Sequence, residues 1–269
     1  MIPIYLIAVG LRAPGLLGWS ASLPILRGQQ PYQPTALPAF SPRHLLSANE
    51  CRRTTASVKL ALQVAQEATA NTRLPVSQIS SVFVSSDADL EIIDKICRGL
   101  MLPDHPLSPT DFHNSVHNAA AGYWAIGTGS NNLSTSLSAR EMTLAAGILE
   151  AATLVTVEKL SVLLVASDYP APSPLNEVCG IEGPFATALL LTTELTADSL
   201  ASLTLRLTTQ SEETRLLSQP DLEKLRLSSP AARSLPLLQA LANDVENSIA
   251  LAYLSGQQLV IEVKPEKRL

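Results

Sequence analysis

The chain has 269 residues, a formal net charge of −5 and an apolar fraction of 46%. That length suits one large domain or two small ones, with enough apolar side chains for a sizeable core. The mild charge, not gathered into blocks, argues against a nucleic acid or an anionic membrane as partner.

Three cysteines, an odd number without paired spacing, point to a reducing compartment rather than a disulfide scaffold. The N-terminal run PIYLIAVG lacks a basic leader region and stops at Gly10, so it reads as a buried strand. No apolar run approaches the ~20 residues that cross a bilayer. A cytoplasmic protein is expected.

Residues 10 to 45, rich in Gly and Pro and without periodicity, read as a long ordered excursion. Ser47-x-x-Glu50 forms a capping box that opens a helix, and Val58, Ala61, Leu62 and Ala65 give it one apolar face. ISSVFVSS (79–86) reads as a buried strand and DLEIIDKICRGL (89–100) as a helix. Residues 117–126 look helical, 131–137 a short strand and 138–153 a long helix. LSVLLVASD (160–168), PFATALLLTT (184–193) and the segment near 203–208 follow as strands. A polar linker spans 209–233, a helix about 235–254, and a closing strand 258–263. Alternating strands and helices, with near-continuous apolar strands, predict an α/β fold whose sheet is covered on both faces.

The stretch DFHNSVHNAAAGYW (111–124) carries the densest chemistry. His113 and His117, four apart, would share one helical face, a common half of a zinc site. No HExxH motif and no obvious third ligand accompany them, so no metal is expected. GTGS (127–130) lacks the glycine spacing of a phosphate cradle and reads as a turn; no cofactor is expected. Arg52 and Arg53 suit an acidic partner or a solvated face equally well.

The segment SPTDFHNSVHNAAAGYWAIGTGS (108–130) resembles the stretch preceding the active-site cysteine of β-ketoacyl synthases. There a Ser-Pro pair leads to an Asn-x-x-x-Gly helix; here these are Ser108-Pro109 and Asn118-x-x-x-Gly122. LSANECRRTTASVKLALQVA (46–65), SVFVSSDAD (81–89), LLVASDYPAPSPL (163–175) and FATALLL (185–191) resemble one branch, the chain-length-factor-like homologues of aryl polyene gene clusters. The resemblance implies a thiolase-like fold of layered αβαβα type, shortened relative to a full ketosynthase. It implies one domain over 1–269, with a ketosynthase-like part over about 1–195 and a reduced part over about 196–269.

Active members of the family carry Thr-Ala-Cys at a strand-to-helix turn, where the helix start lowers the thiol pKa. The matching place here reads Thr135-Ser136-Leu137-Ser138, with Leu137 at the nucleophile position. The family also uses two C-terminal histidines to polarise the malonyl thioester. This chain has no histidine after His117. The resemblance therefore implies a non-catalytic chain length factor that pairs with an active β-ketoacyl synthase and meets acyl carrier protein only indirectly. It implies an interface or acyl-pocket role for Thr110, Asp111, Phe112, His113, Asn114, His117 and Asn118. Leu90, Ile93 and Ile96 would form the floor of a chain-measuring pocket. Two other readings stand beside it: an independent acyltransferase or hydrolase using Cys179 or Ser136, and a structural stabiliser without influence on chain length.

Overall fold

The computed structural model describes residues 3–70, 72–213 and 216–266. The first strand, β1 (Ile4–Arg12), leads into the Pro- and Gly-rich excursion. That excursion is not wholly irregular, because α1 (Trp19–Leu26) lies within it. The Glu67 carboxylate ties this corner together by accepting from Leu11 N (3.0 Å), Trp19 N (2.6 Å) and Arg12 Nη1 (2.7 Å).

The helix expected from Ser47 is two helices, α2 (Ala48–Arg53) and α3 (Ala56–Ala70). Ser47 Oγ does accept from Glu50 N, at 3.3 Å, but the Glu50 carboxylate pairs with Arg53. The break falls on two threonines that bond local backbone instead of continuing the ladder. Thr54 Oγ1 donates to the Cys51 carbonyl, and Thr55 Oγ1 accepts from Val58 N to start α3.

The middle of the chain supplies β2 (Ile79–Val84), α4 (Leu90–Leu100), α5 (Pro109–Asn114) and α6 (Ala119–Thr128). Asp89 and Ser108 cap α4 and α5 through their side-chain oxygens. Then come β3 (Ser134–Leu137), α7 (Thr143–Thr156), β4 (Ser161–Asp168), α8 (Asn176–Cys179), β5 (Phe185–Thr192) and β6 (Ala201–Thr208).

The last quarter departs most from expectation. The supposed linker contains α9 (Pro220–Leu227) and a helical turn at Ala231–Ser234. Leu222 and Leu225, three apart, are buried, and this anchors α9. The helix expected to reach residue 254 stops early, as α10 (Leu235–Asn243). Asp244 adopts a left-handed conformation (φ 52°) that ends it. The apolar residues beyond, Ile249 and Leu251, alternate with more exposed ones at period two. They form β7 (Asn247–Tyr253), which pairs with β8 (Gln257–Pro265).

All eight strands join one mixed sheet in the order β3-β2-β4-β5-β1-β6-β8-β7. β2 runs parallel to β3 and β4; the other pairings are antiparallel. α3 and α6 pack on one face, and α7, α10 and α1 on the other. The shortening thus takes the form of one sheet between two helical layers among the described residues. β4 and β5 are buried along almost their whole length, which explains their unbroken apolar runs. Close packing depends on missing side chains at two points. A Cβ on Gly10 would lie 2.2 Å from the Val64 carbonyl oxygen of α3, and one on Gly147 of α7 would lie 2.7 Å from Val84 of β2.

Candidate functional site

In sheets with parallel strands, ligands gather outside the carboxyl ends of those strands. Here β2, β3 and β4 end together. β2 runs out into Ser85-Ser86-Asp87, β3 into Ser138-Ala139-Arg140, and β4 ends on Asp168.

Asp168 organises this end. It is 2% exposed. One carboxylate oxygen accepts from both Ser86 N and Ser86 Oγ at 2.9 Å, and the other from Ala231 N at 2.7 Å. Burial pushes its pKa up, and the three donors hold it down only in part. The carboxylate therefore pins the helical turn 231–234 to the mouth of β2.

The β3–α7 connection is locked to the same point. Ser138 Oγ donates to the Ser86 carbonyl at 2.6 Å. Thr143 Oγ1 accepts from Ala139 N at 2.9 Å and donates to the Arg140 carbonyl at 2.6 Å. Between them Arg140 sits at φ 50°, uncommon for a residue with a side chain. Leu137 is not at this turn. It belongs to β3, opposite Val84, half-buried against the core. The turn falls at Ser138–Arg140, because the ladder with β2 runs to Val84 and carries β3 with it.

Cys179, at the end of α8, is half-buried nearby. Burial first, then the Asp87 carboxylate, push its thiol pKa up, while Arg140 works in the other direction. Ser136 lies inside β3, opposite Phe83.

The DFHNSVHN segment does not continue as one helix. α5 ends at Asn114, so His113 and His117 do not share a helical face. His113 packs edge to face on Tyr123, with ring centroids 6.1 Å apart. His117 Nε2 lies 3.3 Å from the Ser85 carbonyl oxygen. Among the described residues no cluster of three metal-ligating side chains exists.

The segment borders two hollows. Phe112, His113 and Asn118 line an open apolar groove of about 540 Å³ between α5 and α6. Asn114 and His117 line a smaller one of about 30 Å³ beside Ser85 and Asp89. Asn114 is buried and donates to the Arg53 carbonyl at 2.8 Å, which fastens α5 to α2. Thr110 and Asp111 line neither hollow. Leu90, Ile93 and Ile96 are half-buried along α4 and also line neither. The groove's other wall, Ala119, Gly122, Tyr123 and Ile126, was legible as a stripe spaced i, i+3, i+4, i+7. Nothing local announces Asp168 or Arg140; their partners lie far away in sequence.

Among the described residues no helix is long and apolar enough to cross a membrane. The sheet, its flanking helices and this strand-to-helix turn define a thiolase-like, ketosynthase-type fold. A family model for the β-ketoacyl synthase N-terminal domain matches residues 26–252, and the chain belongs to that family. Among solved structures it is similar to a ketosynthase (ApeO) in complex with its chain length factor (ApeC) from Xenorhabdus doucetiae. The identity is 21%, the TM-score 0.73, and the match covers 97% of this chain and 100% of that one. The ishigamide ketosynthase/chain length factor matches at 11% identity and TM-score 0.72, over 98% of this chain and 100% of that one. The module 1 ketosynthase of the bacillaene synthase from Bacillus amyloliquefaciens FZB42 matches at 10% identity and TM-score 0.68, over 99% and 76%. At these identities the likeness is one of fold. No curated protein matches the chain in sequence.

Proposed function

We propose that this chain is a non-catalytic subunit of chain-length-factor type, which pairs with an active β-ketoacyl synthase in aryl polyene or related polyketide-like synthesis. The observation that carries the reading is Arg140. A strained strand-to-helix turn at the carboxyl end of a sheet is the geometry that presents a nucleophile. In this family the place calls for cysteine. Leu137, the residue matched to it by resemblance, ends β3, Arg140 stands in the turn that follows, and neither side chain is a thiol that could attack a thioester. The three cysteines lie elsewhere: Cys51 buried, Cys97 exposed on α4, and Cys179 with its thiol pKa raised.

Family membership and the fold shared with ketosynthase and chain length factor complexes support the pairing. So does the exposed apolar groove at α5 and α6. The partner supplies the thiol and the histidines and receives acyl groups from acyl carrier protein. This chain completes the partner's fold and shapes the growing product, with Leu90, Ile93 and Ile96 toward the end of the chain-measuring space. An independent acyltransferase using Cys179 or Ser136 has less in its favour: one thiol has a raised pKa, and the serine is held within a strand.

Co-purification with a candidate partner ketosynthase, then intact mass after exposure to acyl-loaded carrier protein, tests the reading. A 1:1 complex in which only the partner gains the acyl mass is expected. Acylation of this chain would overturn the proposal, and mapping the adduct would name the nucleophile. Bulky substitutions at Leu90 or Ile93 should shorten the product; unchanged lengths would leave a purely structural role.

A further inference from the structure

A third hollow, of about 480 Å³, lies between the proline-rich excursion and α3, and it shares no lining residue with the two described above. One wall is a stripe of α3: Ala56, Lys59, Leu60 and Gln63, spaced i, i+3, i+4, i+7. The stretch 36–40 supplies another, with Leu37 and Phe40 half-buried, and Tyr169 and Pro184 complete the lining. The excursion is fastened here. Gly15 N donates to the Thr35 carbonyl at 2.9 Å, Tyr32 Oη donates to the Pro14 carbonyl at 2.7 Å, and Leu37 and Tyr169 pack against the core. Pro34 and Pro38 restrict the backbone further. The fold therefore forms this hollow without help from a ligand.

Its polar groups are few and unengaged. Among the described residues Lys59 alone brings a charge to the lining, and no carboxylate faces it there. The side chains of Lys59, Gln63 and Tyr169 make no hydrogen bond or ion pair among the described residues. Glu67, one turn beyond Gln63, accepts from Arg12 and from two backbone amides, so it does not serve as the counter-ion. Lys59 is half-buried, and an ammonium beside apolar walls is short of hydration when no opposite charge meets it. Small-molecule sites have this form: hollows of about 300–1,000 Å³, mostly apolar, with a few placed polar groups.

We propose that this hollow binds an alkyl carboxylate, a linear apolar chain ending in one negative charge. Lys59 pairs with the head group, and the Gln63 amide donates a second hydrogen bond to it. The tail lies along Leu37, Phe40 and Leu60, and its burial supplies most of the affinity. One ammonium matches one carboxylate. A phosphate monoester, with a charge of about −1.5 to −2 at neutral pH, would leave negative charge unbalanced beside the apolar walls. The site is independent of the heterodimer reading, since it uses neither a partner subunit nor the groove of α5 and α6.

The test uses the full chain with decanoate below its micelle concentration, and decanol as the uncharged probe, each followed by isothermal titration calorimetry at neutral pH. Lys59→Met removes the charge and keeps an apolar stem, Ala56→Trp fills the hollow from α3, and Phe112→Asp alters the separate groove. Circular dichroism confirms that each variant is folded. The wild type should bind decanoate saturably at 1:1 and decanol more weakly. Lys59→Met should lose about tenfold in affinity for decanoate, the size of one hydrogen bond to a charged group, and none for decanol. Ala56→Trp should weaken both ligands, and Phe112→Asp neither. A wild type that binds no decanoate overturns the inference, and so does a Lys59→Met variant that binds decanoate as the wild type does. Binding that is lost in Phe112→Asp and kept in Ala56→Trp puts the ligand in the other groove and overturns it too. None of these results bears on pairing with a ketosynthase, which co-purification tests separately.

Discussion

Asp168 joins three parts of the chain that meet only in the folded state, so its removal is the sharpest probe of the site's architecture. Asp168→Ala leaves the amides of Ser86 and Ala231 facing a void, along with the Ser86 hydroxyl. A buried donor without an acceptor costs about 1–3 kcal/mol, so the variant should lose about 2–5 kcal/mol of stability. The pH dependence is a second, independent readout. Burial raises the folded-state pKa above its ordinary value. Between those two values the folded protein keeps a proton that the unfolded chain releases, so stability falls as pH rises through that window. Asp168→Asn cannot titrate. Urea denaturation across acidic to neutral pH should show a wild-type stability that declines through the window and an Asn variant with a flatter profile. Identical slopes would refute the assignment of a buried, desolvated carboxylate. A loss below 1 kcal/mol for the Ala variant would refute the bridging role.

Four further outcomes follow from packing and chemistry. Gly147→Ala drives a methyl into Val84 at 2.7 Å and Leu164 at 3.2 Å, and should cost about 1–3 kcal/mol by thermal or denaturant unfolding. Gly122→Ala meets open space within α6 and should instead stabilise by about 0.5–1 kcal/mol in the unpartnered chain. Gln219 accepts from Tyr32 N at 2.6 Å and donates to the carbonyls of Ile25 and Gln30. Gln219→Ala should speed limited proteolysis within residues 30–42 before any other region. Iodoacetamide should modify exposed Cys97 first, Cys179 more slowly because less of it is thiolate, and Cys51 only on unfolding; peptide mapping over time reads the order.

Much of the fold was legible in local pattern. The apolar runs at 79–84, 161–168 and 185–192 are strands because a strand buried on both faces needs no polar alternation. The missed elements share a cause. α9 has mixed charge and two buried leucines, which reads as a linker until Gln219 and the core hold it. β7 follows α10 after only three residues, Asp244 to Glu246, and the left-handed Asp244 turns the chain between them. The helix at Ser47 splits at threonines whose side chains bond their own neighbourhood.

The site was legible by residue type and not by placement. The want of a late histidine, and of a cysteine near residue 137, stands in the sequence and needs no coordinates. So does the apolar stripe of α6. Which residue occupies the turn is another matter. Leu137 was the expected occupant, yet the ladder with β2 holds it in the strand and hands the turn to Arg140. That outcome depends on pairing between segments over fifty residues apart, so the short β3 stretch does not fix by itself where its ladder with β2 ends. Sequence alone determined composition, the strand cores and where the histidines and cysteines fall along the chain, since each is read from the order of residues. Tertiary structure decided the turn, the Asp168 bridge and the groove between α5 and α6, since each needs contacts that exist only after distant segments have met.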